Sequence, residues 1–331
     1  MKIALIGASG HSSMLCIPQA FDPDRQYVGV AAGSAGESVQ GTLARLRELG
    51  YAPAAYDDYR TMLRETKPDV VVVDNFYGEH APVICDAFRA GCHVFAEKPV
   101  GATPAELDAL YDAWRTAGTE FAAMLNYRYD GAFYRAWSLV QAGAIGRVRL
   151  LNGQKSYKFG TRPNFMTHRA TYGGTLEWVG VHAIDWVLWF SGAQFESVSA
   201  LQCAAEAANA RCPETTALAQ YRMTNGVMAS VTVDYLNPQT APVHGDDRIR
   251  AVGTAGVIEV RGGAVTLINQ NGVQHPENAP AADMFADFLR QMQGTGQCRI
   301  SGEESFAANY GAVYAQLAAD EGHTVMFPLR G

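Results

Sequence analysis

Short apolar runs alternate with helical patterns through the first third of the chain, and this constrains the fold more than any other feature. Ile3–Ile6, Tyr27–Ala31, Val70–Val73, His93–Ala96 and Phe121–Leu125 read as strands. Helical periodicity fills the intervals between them, which is the signature of βαβ units and a parallel sheet. Val70–Val73 is apolar at every position, as a central strand covered on both faces requires. Thr103-Pro104-Ala105-Glu106 supplies an N-cap threonine, a proline in the first turn and a capping-box glutamate for one of the helices.

The pattern changes near Asn126. Tyr134–Val140 reads as a further helix, and Gly143-Ala144-Ile145-Gly146 then punctuates the chain. Arg147–Lys158, Glu196–Gln202, Thr215–Met223, Val227–Tyr235 and Arg248–Val252 alternate with period two, which suits antiparallel strands with one covered face. Two helices close the chain. Met284, Phe285, Phe288, Leu289 and Met292 form the apolar stripe of one, and Ser301-Gly302-Glu303-Glu304 caps the other. The expected fold is therefore α/β, with a parallel N-terminal domain over 1–125 and a C-terminal α+β domain over 126–331. A length of 331 residues suits two domains.

Composition removes several function classes. A formal charge of −7 without any Lys/Arg cluster argues against nucleic acid or anionic membrane as a partner. Cys16, Cys85, Cys92, Cys203, Cys212 and Cys298 show no Cys-x-x-Cys pairing, so they are expected to be reduced thiols with no metal site. The apolar run Ile3–Ile6 ends at Gly7, too short for a signal segment, and a cytoplasmic protein is expected.

Two places carry chemistry. Gly7-Ala8-Ser9-Gly10-His11-Ser12 follows the first strand and opens a helix, where a dinucleotide fingerprint would stand. Against G-x-G-x-x-G only Gly7 matches, with Ser9 and Ser12 in the other two places. The physics asked of the loop is a tight glycine turn and amides at the helix N-terminus facing phosphates. The second strand ends Ala31-Ala32-Gly33-Ser34, without the acid that favours NAD. Ser34 and loop amides could instead bind a 2′-phosphate, so the reading leans toward NADP. Glu37 reads as a solvated helix-start carboxylate. The second place is Glu97-Lys98-Pro99 at the carboxyl end of a buried strand, the edge where α/β sheets bind ligands. Taken alone it is equally a surface ion pair.

Leu176–Phe190 reads as one buried helix, with His182 and Asp185 on a face shared with Trp178. A histidine there is either a satisfied core residue or a proton carrier, and Asp185 could fix its tautomer.

In their order and spacing these segments resemble the Gfo/Idh/MocA oxidoreductases. The resemblance rests on Gly7–Ser12, on His80 with Ala90-Gly91-Cys92-His93-Val94-Phe95-Ala96-Glu97-Lys98-Pro99, and on Asn126-Tyr127-Arg128-Tyr129. It continues through Gly143–Gly146 and Gly173-Gly174-Thr175-Leu176 to Gly180-Val181-His182-Ala183-Ile184-Asp185. It implies a Rossmann domain, then a domain with an open, mainly antiparallel sheet that commonly mediates homo-oligomers, here a dimer or tetramer. It further implies a cleft for NAD or NADP and a sugar or polyol, with hydride transfer between nicotinamide and a carbinol carbon.

By the same resemblance, Lys98 would hydrogen-bond the reacting oxygen and His182 would serve as general base or acid. A lysine ammonium suits developing alkoxide, and a histidine suits the hydroxyl proton. Glu97 would orient Lys98 or the nicotinamide ribose, and Pro99 can set a cis peptide. Asn75, Phe76, His80 and Asn126 join the loop residues, Ala32 and Ser34 as expected cofactor contacts. Arg128, Tyr157, His168, Arg169, Trp178 and Asp185 join Lys98 and His182 as expected substrate contacts. The chain departs from the family at Trp178, where members usually carry aspartate; Trp178 is either core or a platform for a sugar ring. The alternatives to a dehydrogenase are an NAD-assisted sugar hydrolase or lyase without net redox, and a non-catalytic nucleotide-binding regulator.

Overall fold

The computed structural model describes residues 1–203 and 214–328, which leaves Cys212 outside the described residues. The chain forms two compact units. The first gathers Met1–Met124, Arg169–Gly173 and Asp283–Phe306; the second gathers Leu125–His168, Gly174–Ala282 and the chain from Ala307 onward.

In the first unit, β1 (Lys2–Gly7), α1 (Ser12–Leu15), β2 (Gln26–Ala31), α2 (Gln40–Glu48), β3 (Ala54–Tyr56), α3 (Tyr59–Thr66) and β4 (Val70–Asp74) follow in order. Next come α4 (His80–Arg89), β5 (His93–Ala96), α5 (Pro104–Ala117) and β6 (Phe121–Ala123). All pairings are parallel and the strand order is β3-β2-β1-β4-β5-β6, the doubly wound order of a dinucleotide-binding sheet. The order reverses between β1 and β4, so the crevice beyond their carboxyl ends is where such a sheet takes a ligand. Val70–Val73 are fully buried, which explains their unbroken apolar run. Thr103 caps α5 by accepting from the Glu106 amide at 3.2 Å, and Glu106 reaches back to the Ala102 amide at 2.8 Å. The segment 283–306 completes this core from far along the chain. Phe285 and Phe288 lie 5.1 and 5.3 Å from Phe95 between ring centroids, and Phe306 lies 5.0 Å from Phe121.

The second unit holds α6 (Gly131–Gln141), β7 (Val148–Tyr157), α8 (Val181–Ser191) and β8 to β11 (Phe195–Cys203, Thr216–Met223, Met228–Asp234, Gly245–Gly253). Strands β12 to β14 (Gly256–Arg261, Ala264–Asn269, Gly272–Gln274) follow, and β15 (Val325–Met326) ends the fold. The short helix α7 (Arg169–Tyr172) and α9 (Met284–Met292) belong to the first unit; α10 is Gly302–Glu321. The nine-stranded order is β14-β13-β12-β11-β7-β10-β9-β8-β15, antiparallel except where β10 pairs with β7. All eleven residues of α8 are buried, and α8 packs on β7. Gly153 of β7 permits that approach, because a Cβ there would lie 3.3 Å from the Cβ of Ala183.

Two differences from the sequence reading matter. Strands β12 and β13 form a hairpin through Gly262 and Gly263, both at positive φ (57° and 73°). A Gly-Gly pair between alternating runs is the signal for that turn. The helix expected over Leu176–Phe190 begins instead with a π-helical turn over Leu176–Gly180. The wider turn breaks the i, i+4 alignment that would have set Trp178 on the face of His182 and Asp185. No described helix is long and apolar enough to cross a membrane.

Candidate functional site

The first unit concentrates its polar groups at the carboxyl ends of β1, β2, β4 and β5. Gly7 turns at φ 91°, and a Cβ there would lie 2.2 Å from the Asn75 amide nitrogen, so only glycine fits. Gly10 passes close over two acids: its Cβ would lie 2.3 Å from Oδ1 of Asp74 and 2.8 Å from Cγ of Glu97. The loop amides are engaged by carboxylates. Glu37 accepts from the Ala8 amide at 2.9 Å and from the Ser9 hydroxyl. Glu97 accepts from the His11 amide at 3.1 Å, and Asp74 from the Ser12 amide at 3.0 Å and the Ser12 hydroxyl. The sequence pattern points the His11 and Ser12 amides at phosphates. They are turned onto buried acids, and α1 is only four residues long.

Glu97 and Lys98 sit where the sequence places them, and both are buried rather than a surface pair. Lys98 Nζ lies 3.3 Å from Glu97 Oε1, while Oε2 meets His11 Nδ1 at 2.8 Å. Burial would raise the Glu97 carboxyl, but His11 and Lys98 outweigh it and hold it below the usual carboxylate range. Asp74 goes the other way, since burial first and the charge of Glu97 second push its carboxyl well up. The Lys98–Pro99 peptide is cis. His80 is fully buried, with Nδ1 2.6 Å from the Pro99 carbonyl and Nε2 3.0 Å from the Asn75 carbonyl. It ties two strand ends together. Asn75 is also internal, donating to the Ser34 hydroxyl at 3.0 Å and the Glu79 carbonyl at 3.1 Å. Ser34 Oγ accepts from the Phe76 amide as well. Ala32 and Phe76 are half-buried beside this turn.

In the second unit His182 is buried on α8, and its ring stands edge-on to Tyr127 at 5.3 Å. Tyr127 hydrogen-bonds both Asp247 and Lys155. Lys155 is fully buried, 2.8 Å from Asp247 and 4.5 Å from the Tyr157 ring centroid. Burial, Tyr157 and Asp247 push the Tyr127 hydroxyl well above its ordinary pKa, so it stays protonated. The sequence reading missed Lys155, Tyr127 and Asp247; the cross-strand pairing of Lys155 with Asp247 is what joins them. Arg128 and Asp185 form a buried ion pair at 2.7 Å, which engages Asp185 with a residue of another element. Trp178 is buried, stacked 6.4 Å from Tyr235, with the Arg162 guanidinium 5.1 Å over its ring. Asn126 and His168 are exposed, and Arg169 is half-buried in α7.

Comparison with known proteins agrees with this architecture. The family described as "Oxidoreductase family, NAD-binding Rossmann fold" matches residues 1–124, and the GFO/IDH/MocA C-terminal domain matches residues 133–259. The chain belongs to the Gfo/Idh/MocA family. A solved Thermotoga maritima protein, provisionally named an oxidoreductase, is 36% identical with a TM-score of 0.94, covering 99% of this chain and all of that one. Among curated relatives, inositol 2-dehydrogenase of Salmonella typhimurium is 27% identical over 43% of this chain and 41% of its own. Glycosyl hydrolase family 109 protein 2 of Akkermansia muciniphila is 28% identical over 47% and 34%. The chain thus spans less than half the length of these curated relatives.

As a Gfo/Idh/MocA protein the chain calls for a nicotinamide dinucleotide, and its donor set fits the hydroxyl-bearing parts of one. Glu37, half-buried over the end of β2, offers a carboxylate to a hydroxyl there, and Gly7 and Gly10 bring the loop so close to Asn75, Asp74 and Glu97 that no Cβ fits. The loop that would face the phosphates is lined by Glu37, Asp74 and Glu97.

Proposed function

We propose that this chain is an NAD-dependent dehydrogenase or reductase acting on a hydroxyl-bearing carbon of a sugar or polyol. The observation that carries the reading is the buried Glu97–Lys98 pair at the carboxyl edge of the parallel sheet, held to the Gly7–Ser12 loop through His11. The cofactor would supply the nicotinamide that accepts or donates hydride. Glu97 keeps the Lys98 ammonium positioned, and that cation stabilises an oxygen that gains negative charge as hydride leaves. His182 takes the hydroxyl proton, a task for an imidazole near neutral pH. Tyr127, protonated and held by Lys155 and Asp247, gives the His182 ring a fixed edge-on neighbour in place of the family aspartate.

The hydrolase or lyase alternative is not favoured, because the family that matches residues 1–124 is described as an oxidoreductase family. Exposed Leu201, Leu218, Met228 and Met326 on β8, β9, β10 and β15 support a homo-oligomer formed through the second sheet. Nothing in the composition favours a nucleic-acid or membrane partner, and the reading keeps a cytoplasmic location.

The test is a screen of sugars and polyols with both dinucleotides, read by nicotinamide absorbance, followed by Lys98→Ala. That variant is expected to lose at least a hundredfold in turnover while still binding the dinucleotide. Unchanged turnover overturns the assignment, and product formed without net cofactor change selects the hydrolase or lyase instead.

A further inference from the structure

The end of β2 is where a dinucleotide-binding sheet normally carries an acid for the adenosine ribose. Here the chain reads Ala31-Ala32-Gly33-Ser34-Ala35-Gly36-Glu37, with no acid before Glu37 and no Lys or Arg from 31 to 40. The fold supplies the acid from further on. Gly36 turns at φ 77°, the Glu37 amide donates to the Ser34 carbonyl at 3.3 Å, and the side chain folds back over the strand end. Its Oε2 accepts from the Gly33 amide at 3.0 Å and the Ser34 amide at 3.3 Å. Its Oε1 accepts from the Ala8 amide at 2.9 Å and from the Ser9 hydroxyl. One carboxylate therefore bridges the β1–α1 loop and the end of β2, instead of being the solvated group its place in the sequence suggests.

We propose that Glu37 determines cofactor specificity: it reads the adenosine ribose 2′-hydroxyl and makes the chain select NAD(H) over NADP(H). This rests on the reading that the first unit holds a nicotinamide dinucleotide. Three backbone amides fix the carboxylate, and the Ser9 hydroxyl is its exchangeable partner. Rotation of that hydroxyl frees Oε1 for a ribose hydroxyl without moving the carboxylate. A 2′-phosphate carries close to two negative charges at neutral pH and would have to approach this fixed anion.

The donors that could have held such a phosphate are already used. The Gly33 and Ser34 amides point at Glu37, and Ser34 Oγ, nearly buried, accepts from Asn75 Nδ2 and the Phe76 amide. The lean toward NADP drawn from the bare strand end is thereby reversed, because it required Ser34 and those amides to be available.

The test is direct binding of NAD+ and NADP+ to the purified full chain without substrate, by titration calorimetry. The wild type is expected to bind NAD+ at least tenfold more tightly than NADP+. Glu37→Gln keeps an acceptor but removes the charge, and is expected to bring the two affinities within about threefold, mainly by improving NADP+ binding, a change of roughly 0.7 kcal/mol or more in the ratio. Ser9→Ala retains the carboxylate and is expected to keep the NAD+ preference, with a melting temperature check that both variants fold. If Glu37 only pins the turn, Glu37→Gln weakens both dinucleotides equally and leaves the ratio unchanged, which overturns the proposal while the dinucleotide reading stands. A wild type that prefers NADP+ does the same. If neither dinucleotide binds, the functional reading itself falls and this proposal with it.

Discussion

Asp74 and Glu97 stand over the same glycine, yet their carboxyls shift in opposite directions, and the signs predict a pH response. Glu97 has its pKa lowered in the fold, so it stabilises the native state above its unfolded value and loses that contribution as pH falls. Asp74 has its pKa raised by burial and by Glu97, so the native state prefers it protonated and is penalised as pH rises through that raised value. Asp74→Asn removes the charge at nearly constant shape. It is expected to raise the melting temperature at pH 7 by about 2–4 °C per kcal/mol relieved, with the gain fading toward pH 4, near the unfolded carboxyl value. Differential scanning calorimetry across that pH range checks it; a gain that persists undiminished at pH 4 would exclude the electrostatic cause. Neither Asp74 nor the bridging role of Glu37 was legible in the sequence. Each depends on a turn that brings the acid onto amides dozens of residues away.

At the scale of elements, the parallel strands and the capped helices follow from local signals. Ser301 and Glu304 form the expected reciprocal cap, with the Glu304 amide 3.2 Å from Ser301 Oγ and the Ser301 amide 2.9 Å from Glu304. The second unit was less legible. The π-helical turn before α8 leaves no mark in an apolar run, because the extra residue per turn is set by packing around it. Contact of α8 with β7 depends on Gly153, and this gives a second prediction. Gly153→Val adds side-chain bulk against Ala183, whose Cβ and carbonyl oxygen would lie 3.3 and 3.4 Å from the new Cβ. Overpacking of this kind costs about 1–3 kcal/mol, so the melting temperature should fall by several degrees. Because α8 carries His182, turnover should fall more than dinucleotide affinity does, which steady-state kinetics and calorimetry together would show.

For the whole molecule, the core of the first unit is not encoded in one stretch. A single boundary near residue 125 is the natural reading of the change from parallel to alternating patterns. Yet Phe285, Phe288 and Phe306 pack on Phe95 and Phe121, so 283–306 returns to the first unit. A fragment of residues 1–124 is therefore expected to lack a cooperative thermal transition. Fusing 283–306 to it through a flexible linker should restore one, read by circular dichroism. A fragment that melts cooperatively alone would show the returning segment to be dispensable. Phe288→Ala in the full chain should cost about 3–5 kcal/mol, the usual range for emptying such a site.

The α/β class, the parallel first sheet, the alternating second one, and the places of Glu97-Lys98 at a strand end and His182 on a buried helix were all legible in the chain's local patterns. These rest on periodicity, caps and strand ends, which are local properties of the chain. Only the folded chain shows which carboxylates meet the glycine loop, that Arg128 and Asp185 pair with each other, and that Tyr127 and Asp247 gather on the buried Lys155. Those outcomes depend on register and on close approaches permitted by single glycines. Such choices are made between segments far apart in sequence, where no short pattern can record them.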